Sequence, residues 1–585
     1  MNYRLNISNA SQGNEPIWKS FARLVPLMRG EGRRVAIAFT AILVSSLVAL
    51  AGPLIISYTV DHYFGIRDYA GVAVWSGVLF GLYLINLLSS YVQARTMGGV
   101  GRRVLFNLRN SIFQKLQELP VAFFNQNRAG DLISRINNDT DKLNQFFAQA
   151  LMQFLSNLFL MAGAAISLLV LNVQLGAAAL VPAVLVLIVT QLLGGWVKRT
   201  SFKSLQTLGG LSGEIQESLA NFKVIVAFNR LDYFRDKFAE ANRSNYAAAI
   251  RAGVASNIFI PIYGLSYNLG QLVVLGYGIY LIANGALTAG LLIGFLLYVN
   301  NFYNPLRQLA AIWSSLQLAL AGLDRISEVL ALKSDMAVLP ATETSSQGVL
   351  AFRDVGFAYP GGTPVLNRVN FVLERGKTYA LVGPTGGGKT TTASLMARLY
   401  DPTEGTVLLD GRDIRSYEPA ERVAKIGFIL QEPFLFTGTV RDNILYGNTA
   451  LASLSNEALA LRLEEAGLSR LLDRFEAGLD TTVSSSGDAM SLGQKQLVAF
   501  IRAVLRNPEL LILDEATANI DTVTEQLLED ILQHLPATTT RVIIAHRLNT
   551  IADADAIFFV NGGAVTPAGS MEQAVNMLLS DTIQS

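Results

Sequence analysis

The chain has 585 residues, of which 16% are charged, and a mean hydropathy of +0.36. It is too long for one soluble domain and too apolar for an ordinary one, so two or more domains are expected, one of them in lipid. A net charge of +1 offers no basic surplus for sequence-independent nucleic-acid binding, so no nucleic-acid partner is expected, and the absence of cysteine excludes disulfides, thiolate chemistry and zinc–thiolate sites.

The first thirty residues are polar and contain no apolar core with a small-residue cleavage site, so a secretory signal is not expected. Within this tail (1–33), Trp18, Phe21, Val25 and Met28 fall at helical spacing, with Lys19, Arg23 and Arg29 elsewhere on the wheel. That pattern predicts a helix lying in the membrane interface, with a frayed amphipathic terminus as the alternative. Six apolar helices follow at 34–60, 72–94, 149–171, 174–196, 256–283 and 287–316, because about 20 apolar residues cross the hydrocarbon core. They define a membrane domain over 34–332.

The connection 95–148 is rich in Arg and Lys, from Arg95 to Lys142, and 197–253 is similarly rich from Lys198 to Arg251. Of the opposite connections, Asn172-Val173 and 283–286 hold no Lys or Arg and the first has Arg67 alone. The charge bias makes the long connections and both termini cytoplasmic. Leu105, Leu108, Ile112 and Leu116 keep helical spacing beyond the span, so the helices should continue into the cytoplasm and turn back near Gly130-Asp131 and near 229–232. Such elbows could touch a soluble domain; solvated hairpins are the alternative. In the last two spans Asn268, Gln271, Asn300, Asn301, Asn304 and Arg307 should face other helices or water, as pathway lining or as interhelical hydrogen-bond partners.

From Lys333 to Gln347 the chain is polar, with Pro340 and several Ser and Thr, and reads as a linker. Beyond it, over 348–585, short β-rich runs alternate with helical stretches, as in an α/β domain with a largely parallel sheet. Its chemistry begins at Gly383-Pro384-Thr385-Gly386-Gly387-Gly388-Lys389-Thr390, followed by Thr391. A buried strand precedes the glycines, a helix opens at Lys389, and the curled backbone points its N–H groups inward. Such a nest holds β- and γ-phosphates, with Lys389 as a point charge and the Thr390 hydroxyl as a Mg2+ ligand.

The apolar strand ending at Leu513 leads into Asp514 and Glu515. In a parallel sheet that end faces the ligand crevice, so Asp514 can hold the Mg2+ shell while Glu515 polarises the attacking water, although an acid here can also merely cap a turn. His546 follows another apolar strand on the same side and can reach a γ-phosphate, whereas His62 and His534 read as surface residues.

In this order the pieces resemble the ATP-binding cassette (ABC) superfamily, specifically exporter half-transporters. The implied fold is a six-helix transmembrane domain fused to an α/β P-loop ATPase domain, in a multi-pass protein of a bacterial inner membrane that binds ATP and Mg2+. Tyr359 matches the aromatic residue that stacks on adenine, and Gln431 the glutamine that joins the Mg2+ shell and senses the membrane domain. Glu515 and His546 match catalytic residues, and Ala518-Asn519-Ile520-Asp521 matches a loop touching the opposite nucleotide domain. The turns near 130–139 and 229–235 look like coupling helices.

One motif departs from the family. The signature Leu-Ser-Gly-Gly-Gln stands here as Met490-Ser491-Leu492-Gly493-Gln494. In the family this helix N-terminus donates to the γ-phosphate of ATP held by the partner chain. Ser491, Gly493 and Gln494 remain, but Leu492 puts a branched side chain where the backbone approaches closely, which weakens transition-state stabilisation. The expectation is a heterodimer whose partner carries the intact signature, with a homodimer of slowed sites, or an ATP-gated channel, as alternatives. Upstream, Ser484-Ser485-Ser486-Gly487 replaces a charged segment that contacts coupling helices in exporters. The implied activity is ATP-driven export or flipping of a small amphiphile, drug or membrane lipid.

Overall fold

A computed structural model describes residues 2–5, 25–340, 348–484, 490–514, 522–544, 553–569, 572–574 and 576–577, except for the side chains of 25, 310, 311, 313, 314 and 522. Two compact units emerge: one formed by Met1–Leu5, Gln117–Ala129 and Leu332–Ser585, the other by Asn6–Leu116 and Gly130–Ala331. Trp18, Phe21 and most of the expected interfacial helix lie outside the described residues, and Val25–Met28 forms a single 3-10 turn.

The second unit is helical. Among the described residues, five continuous helical stretches are long and apolar enough to cross a membrane: Gly32–Phe64, Tyr69–Glu118, Ala129–Leu171, Val173–Ala220 and Leu231–Ala283. At 1.5 Å per residue the 50-residue Tyr69–Glu118 helix is about 75 Å long, more than twice a hydrocarbon core, so it carries well past any bilayer it crosses. The 42-residue helix Ala289–Leu330 packs against Leu151–Leu171 and Gly32–Thr59. Its Phe295, Tyr298, Val299 and Tyr303 are buried with Leu168, Ala179 and Val274. The two tyrosines keep their hydroxyls satisfied on backbone carbonyls, Tyr303 on Ala179 at 2.9 Å and Tyr298 on Leu50 at 2.5 Å, as an apolar interior requires.

The polar residues expected in the last helices divide. Asn301 donates to the Ala49 carbonyl and Gln271 to the Tyr267 hydroxyl, which are helix-to-helix and local bonds, whereas Asn304, bonded to Asn300, and Arg307 are exposed. Nearer Leu330, Arg135 is 1% exposed and bonds Asp131, Glu328 and the Arg325 carbonyl, while Arg325 bonds Asp131 and reaches Asp139. This alternation of charge fixes the return segment against the end of Ala289–Leu330, because a buried guanidinium requires paired carboxylates.

The first reversal occupies the residues just before the expected Gly130-Asp131. Pro120 ends the Tyr69–Glu118 helix, a short helix runs over Val121–Gln126, and the return starts at Ala129. The physical reason is local: proline disfavours helical backbone at Leu119, and Pro120 itself is extended. The second reversal carries its own short helix, Phe222–Ala227, between Asn221 and the left-handed Asn229 (φ 51°).

The first unit holds a four-stranded antiparallel sheet and a six-stranded, mostly parallel one. The six strands run in the order Ala564–Ala568, Ala556–Asn561, Thr378–Val382, Thr540–Ile544, Leu510–Asp514, Ile426–Ile429. Thr378–Val382 and Leu510–Asp514 are buried throughout, as expected of central parallel strands covered on both faces. Rings of Phe352, Phe371, Tyr379 and Phe558 stack between the sheets. A second core gathers around the amphipathic helix Leu492–Val504, with Leu459, Leu463, Leu471 and Phe500. The linker residues are pinned to this unit, since Leu339 N–H donates to the Arg415 carbonyl and Arg398 donates to the Ala337 carbonyl.

At the starts of the parallel strands Arg375 and Lys425 each bridge Asp410 and Glu509. Burial would raise the Glu509 carboxyl, but hydrogen bonds from Lys425 and Arg375 outweigh it and hold Glu509 below the ordinary carboxylate range. These charges staple one edge of the sheet. The opposite edge, where the strands end, carries the glycine-rich loop 383–388.

Candidate functional site

The Thr378–Val382 strand stops at Gly383, whose φ of 149° begins the loop; Gly386 (φ 83°) and Gly388 (φ 111°) complete the left-handed set. A Cβ on Gly383 would lie 2.1 Å from the Val560 carbonyl oxygen, and one on Gly387 2.5 Å from the same atom. The neighbouring strand Ala556–Asn561 therefore crosses so close that only glycine fits at these two positions. Gly388 caps the helix Lys389–Met396, and Pro384, Thr385 and Gly386 form the outer rim of the loop.

Lys389 is buried, and its ammonium donates to the carbonyls of Gly383 (2.8 Å) and Pro384 (3.0 Å). The Thr390 hydroxyl stands 3.4 Å from the Asp514 carboxylate, which is 2% exposed at the end of Leu510–Asp514. The fold therefore brings together loop, cation, hydroxyl and acid from sequence positions 124 residues apart, since Thr378–Val382, which leads into the loop, and Leu510–Asp514 flank Thr540–Ile544 in one sheet. Two oxygen donors of this kind suit Mg2+, which takes one or two protein ligands and fills its shell with phosphate and water.

Tyr359 adds a contact that spacing could not foresee: its hydroxyl lies 3.0 Å from that of Thr391, in the helix behind the loop. Its ring stands edge-to-face with Phe357 (4.9 Å, 83°) and with Tyr400 (5.3 Å, 90°). Gln431 is exposed just past the strand Ile426–Ile429. Glu515 and His546, together with 518–521 and 485–487, lie outside the described residues; His62 and His534 are exposed.

Ser491 is the N-cap of Leu492–Val504. Its hydroxyl accepts from the Gln494 N–H (3.2 Å), and the Gln494 side chain accepts from the Ser491 N–H (3.0 Å) while donating to the Arg474 carbonyl (3.0 Å). This reciprocal capping box was readable as Ser-x-x-Gln before an apolar run, a signal the family motif overshadowed. With two of its orphan groups satisfied internally, the helix start presents Leu492, 42% exposed, and Gly493 outward.

Residues 35–306 match the family model for the ABC transporter transmembrane region, and residues 366–518 match that for the ABC transporter itself. The ABC transporter ATP-binding protein YfiC of Bacillus subtilis is 34% identical over 91% of this chain and 88% of its own length. The chain belongs to the ABC transporters. As such it hydrolyses ATP and couples that hydrolysis to transport across a membrane. A fatty acid ABC transporter ATP-binding/permease protein of Mycobacterium bovis is 33% identical over 86% of this transporter and 79% of its own length. An ATP-dependent lipid A-core flippase of Syntrophus aciditrophicus is 28% identical over 94% and 92%.

Sequence reasoning missed the residues that hold the first elbow. Asn125 donates to the Tyr400 hydroxyl (2.6 Å), Gln126 accepts from the Tyr3 N–H (2.9 Å), and Asn127 accepts from the Leu5 N–H (2.9 Å) while donating to the Tyr3 carbonyl (3.0 Å). No pattern near residues 2–5 predicts a strap bonded to residues more than a hundred positions away. A run of three amides, Asn125-Gln126-Asn127, was the available hint.

Proposed function

We propose that this chain is one half of a heterodimeric exporter that moves an amphiphilic substrate, drug or lipid, across the bacterial inner membrane. Leu492 carries the reading: an exposed branched side chain at the first turn of the signature helix, where the family holds glycine so that backbone N–H groups reach a nucleotide. The partner then supplies an intact Leu-Ser-Gly-Gly-Gln to the ATP held by Lys389. The fatty acid and lipid A-core relatives support an amphiphile as cargo.

In this reading Ala289–Leu330 is a sixth membrane helix, and the termini and nucleotide-binding domain are cytoplasmic, as the Arg and Lys bias of the long connections supports. Gly383 to Gly388 cradle the phosphates, Lys389 leaves its loop carbonyls for the β- and γ-oxygens, and Tyr359 meets the adenine. Thr390, Asp514 and Gln431 would hold Mg2+, which when bound neutralises charge on the phosphate oxygens. Glu515 orients the attacking water and His546 contacts the γ-phosphate. Closure of two such domains on ATP turns the cavity outward, provided ATP binds the closed state more tightly than the open one.

The test is purification of the chain alone and with co-expressed half-transporters. ATPase activity that rises at least tenfold on adding a partner with an intact signature supports the heterodimer. Full turnover by the chain alone overturns it.

A further inference from the structure

The aromatic cluster around Tyr359 and the first elbow are joined by the side chain of Tyr400. Tyr400 lies four residues beyond the helix Lys389–Met396, half-buried, with its ring perpendicular to Tyr359 at 5.3 Å and tilted 62° from Phe357 at 5.6 Å. Its hydroxyl accepts from Asn125, in the elbow helix Val121–Gln126, at 2.6 Å. Burial pushes the Tyr400 phenol above its ordinary value, so it remains a neutral hydroxyl at physiological pH. On the far side of Asn125 the elbow is held by Tyr3 and Leu5 through Gln126 and Asn127. The elbow helix thus has a fixed anchor and a contact that ends on the aromatic cluster.

We propose that Tyr400 is a positioning residue that couples occupancy of the Tyr359 adenine platform to the elbow through Asn125. The inference rests on the reading of Tyr359 as the adenine-stacking residue. A purine laid on Tyr359 constrains that ring, whose hydroxyl otherwise sits on Thr391. A perpendicular neighbour cannot keep its edge-to-face packing without following. The movement of Tyr400 is delivered to Asn125 because the hydrogen bond from the Asn125 N–H to the Tyr400 hydroxyl, at 2.6 Å, weakens as its length and angle change. The route is one ring and one hydrogen bond long, and it bypasses the phosphates.

The absence of native cysteine makes the test direct. Arg128→Cys, at an exposed elbow position, carries an environment-sensitive fluorophore on the full-length transporter in nanodiscs, with its partner present. Mg·ATP is titrated while elbow fluorescence is followed on one sample and displacement of a fluorescent ATP analogue on another. In the otherwise native protein the two midpoints should coincide. Tyr400→Phe, which keeps the ring, and Asn125→Leu should each leave the displacement midpoint within about twofold and shift the elbow midpoint at least tenfold or abolish the signal. Combining them should do no more than either alone. An elbow response that tracks occupancy unchanged in both variants overturns the proposal. Tyr359→Ala separates the two levels: an unaltered ATP midpoint there removes the adenine reading itself, whereas a weakened midpoint with normal elbow responses in Tyr400→Phe and Asn125→Leu removes only the relay.

Discussion

The Tyr3 hydroxyl donates to the Asp335 carboxylate and accepts from the Asp335 backbone N–H (2.9 Å), so the start of the chain is tied to the first residues of the linker across 332 positions. Burial first, and then the bond to Asp335, push the Tyr3 phenol up to about 12. Burial alone would raise Asp335, but the hydrogen bond from Tyr3 leads the contributions that hold it below 3.8. The signs are opposite. The Tyr3 contribution is complete below pH 10 and lost as pH rises to about 12, and that of Asp335 is complete above 3.8 and lost as pH falls below it.

Tyr3→Phe should therefore loosen the strap by about 1.5–3 kcal/mol, the worth of a hydrogen bond to a charged group. Trypsin cleavage after the exposed Arg4 reports this, and it should accelerate about tenfold or more at neutral pH. In the unsubstituted protein the same acceleration should appear only above pH 10.

Gly383→Ala and Gly386→Ala should differ sharply. The first places a Cβ 2.1 Å from the Val560 carbonyl, in addition to its strained φ, whereas the second meets nothing within 4 Å. A loss of about 3 kcal/mol or more in stability, with ATP binding abolished, is expected for Gly383→Ala. Only the left-handed strain of about 1–2 kcal/mol is expected for Gly386→Ala. Thermal unfolding with and without ATP separates them.

Glu515→Gln should reduce ATP turnover by about 100-fold or more, the usual contribution of a positioned base, while ATP still binds. Wild-type hydrolysis in that variant would refute the assignment of Glu515.

Leu492→Gly restores close backbone approach at the helix start. Leu492 is 42% exposed, so little packing is lost, and glycine in a helix costs about 1 kcal/mol. ATPase of the assembled transporter should rise about tenfold if the second site regains its donors, a change of about 1.4 kcal/mol in barrier. Unchanged activity would show that Leu492 does not limit turnover.

Glu509→Gln should flatten the acid limb of stability of the nucleotide-binding unit. Because Glu509 is held below its ordinary 4.5, its contribution is present above that pH and fades as pH falls. The group is partly exposed, so the loss at neutral pH is limited to about 1 kcal/mol. Denaturant melts at pH 7 and pH 3.5 should show a gap between variant and parent that closes in acid.

The glycine-rich loop after Thr378–Val382 was legible because positions at φ of 149° and 111° favour glycine, and because the apolar run before it reads as a central strand. Asp514 was legible as the first of two acids closing an apolar, buried strand. The end of the elbow near Gly130-Asp131 was legible, but its start at Leu119-Pro120 and its own short helix Val121–Gln126 were not.

By itself the sequence determined what is local in cause: apolar runs of membrane length, glycines where a Cβ would collide, a Ser-x-x-Gln cap, and a leucine at the signature. Only the tertiary structure decided which distant groups meet, namely Tyr3 with Asp335, Asn125 with Tyr400, and Arg135 with Glu328. Periodicity and backbone sterics act over a few residues and leave a trace in composition. A hydrogen bond between residues 275 apart depends on how whole elements stack, and any exposed amide or phenol could have made it.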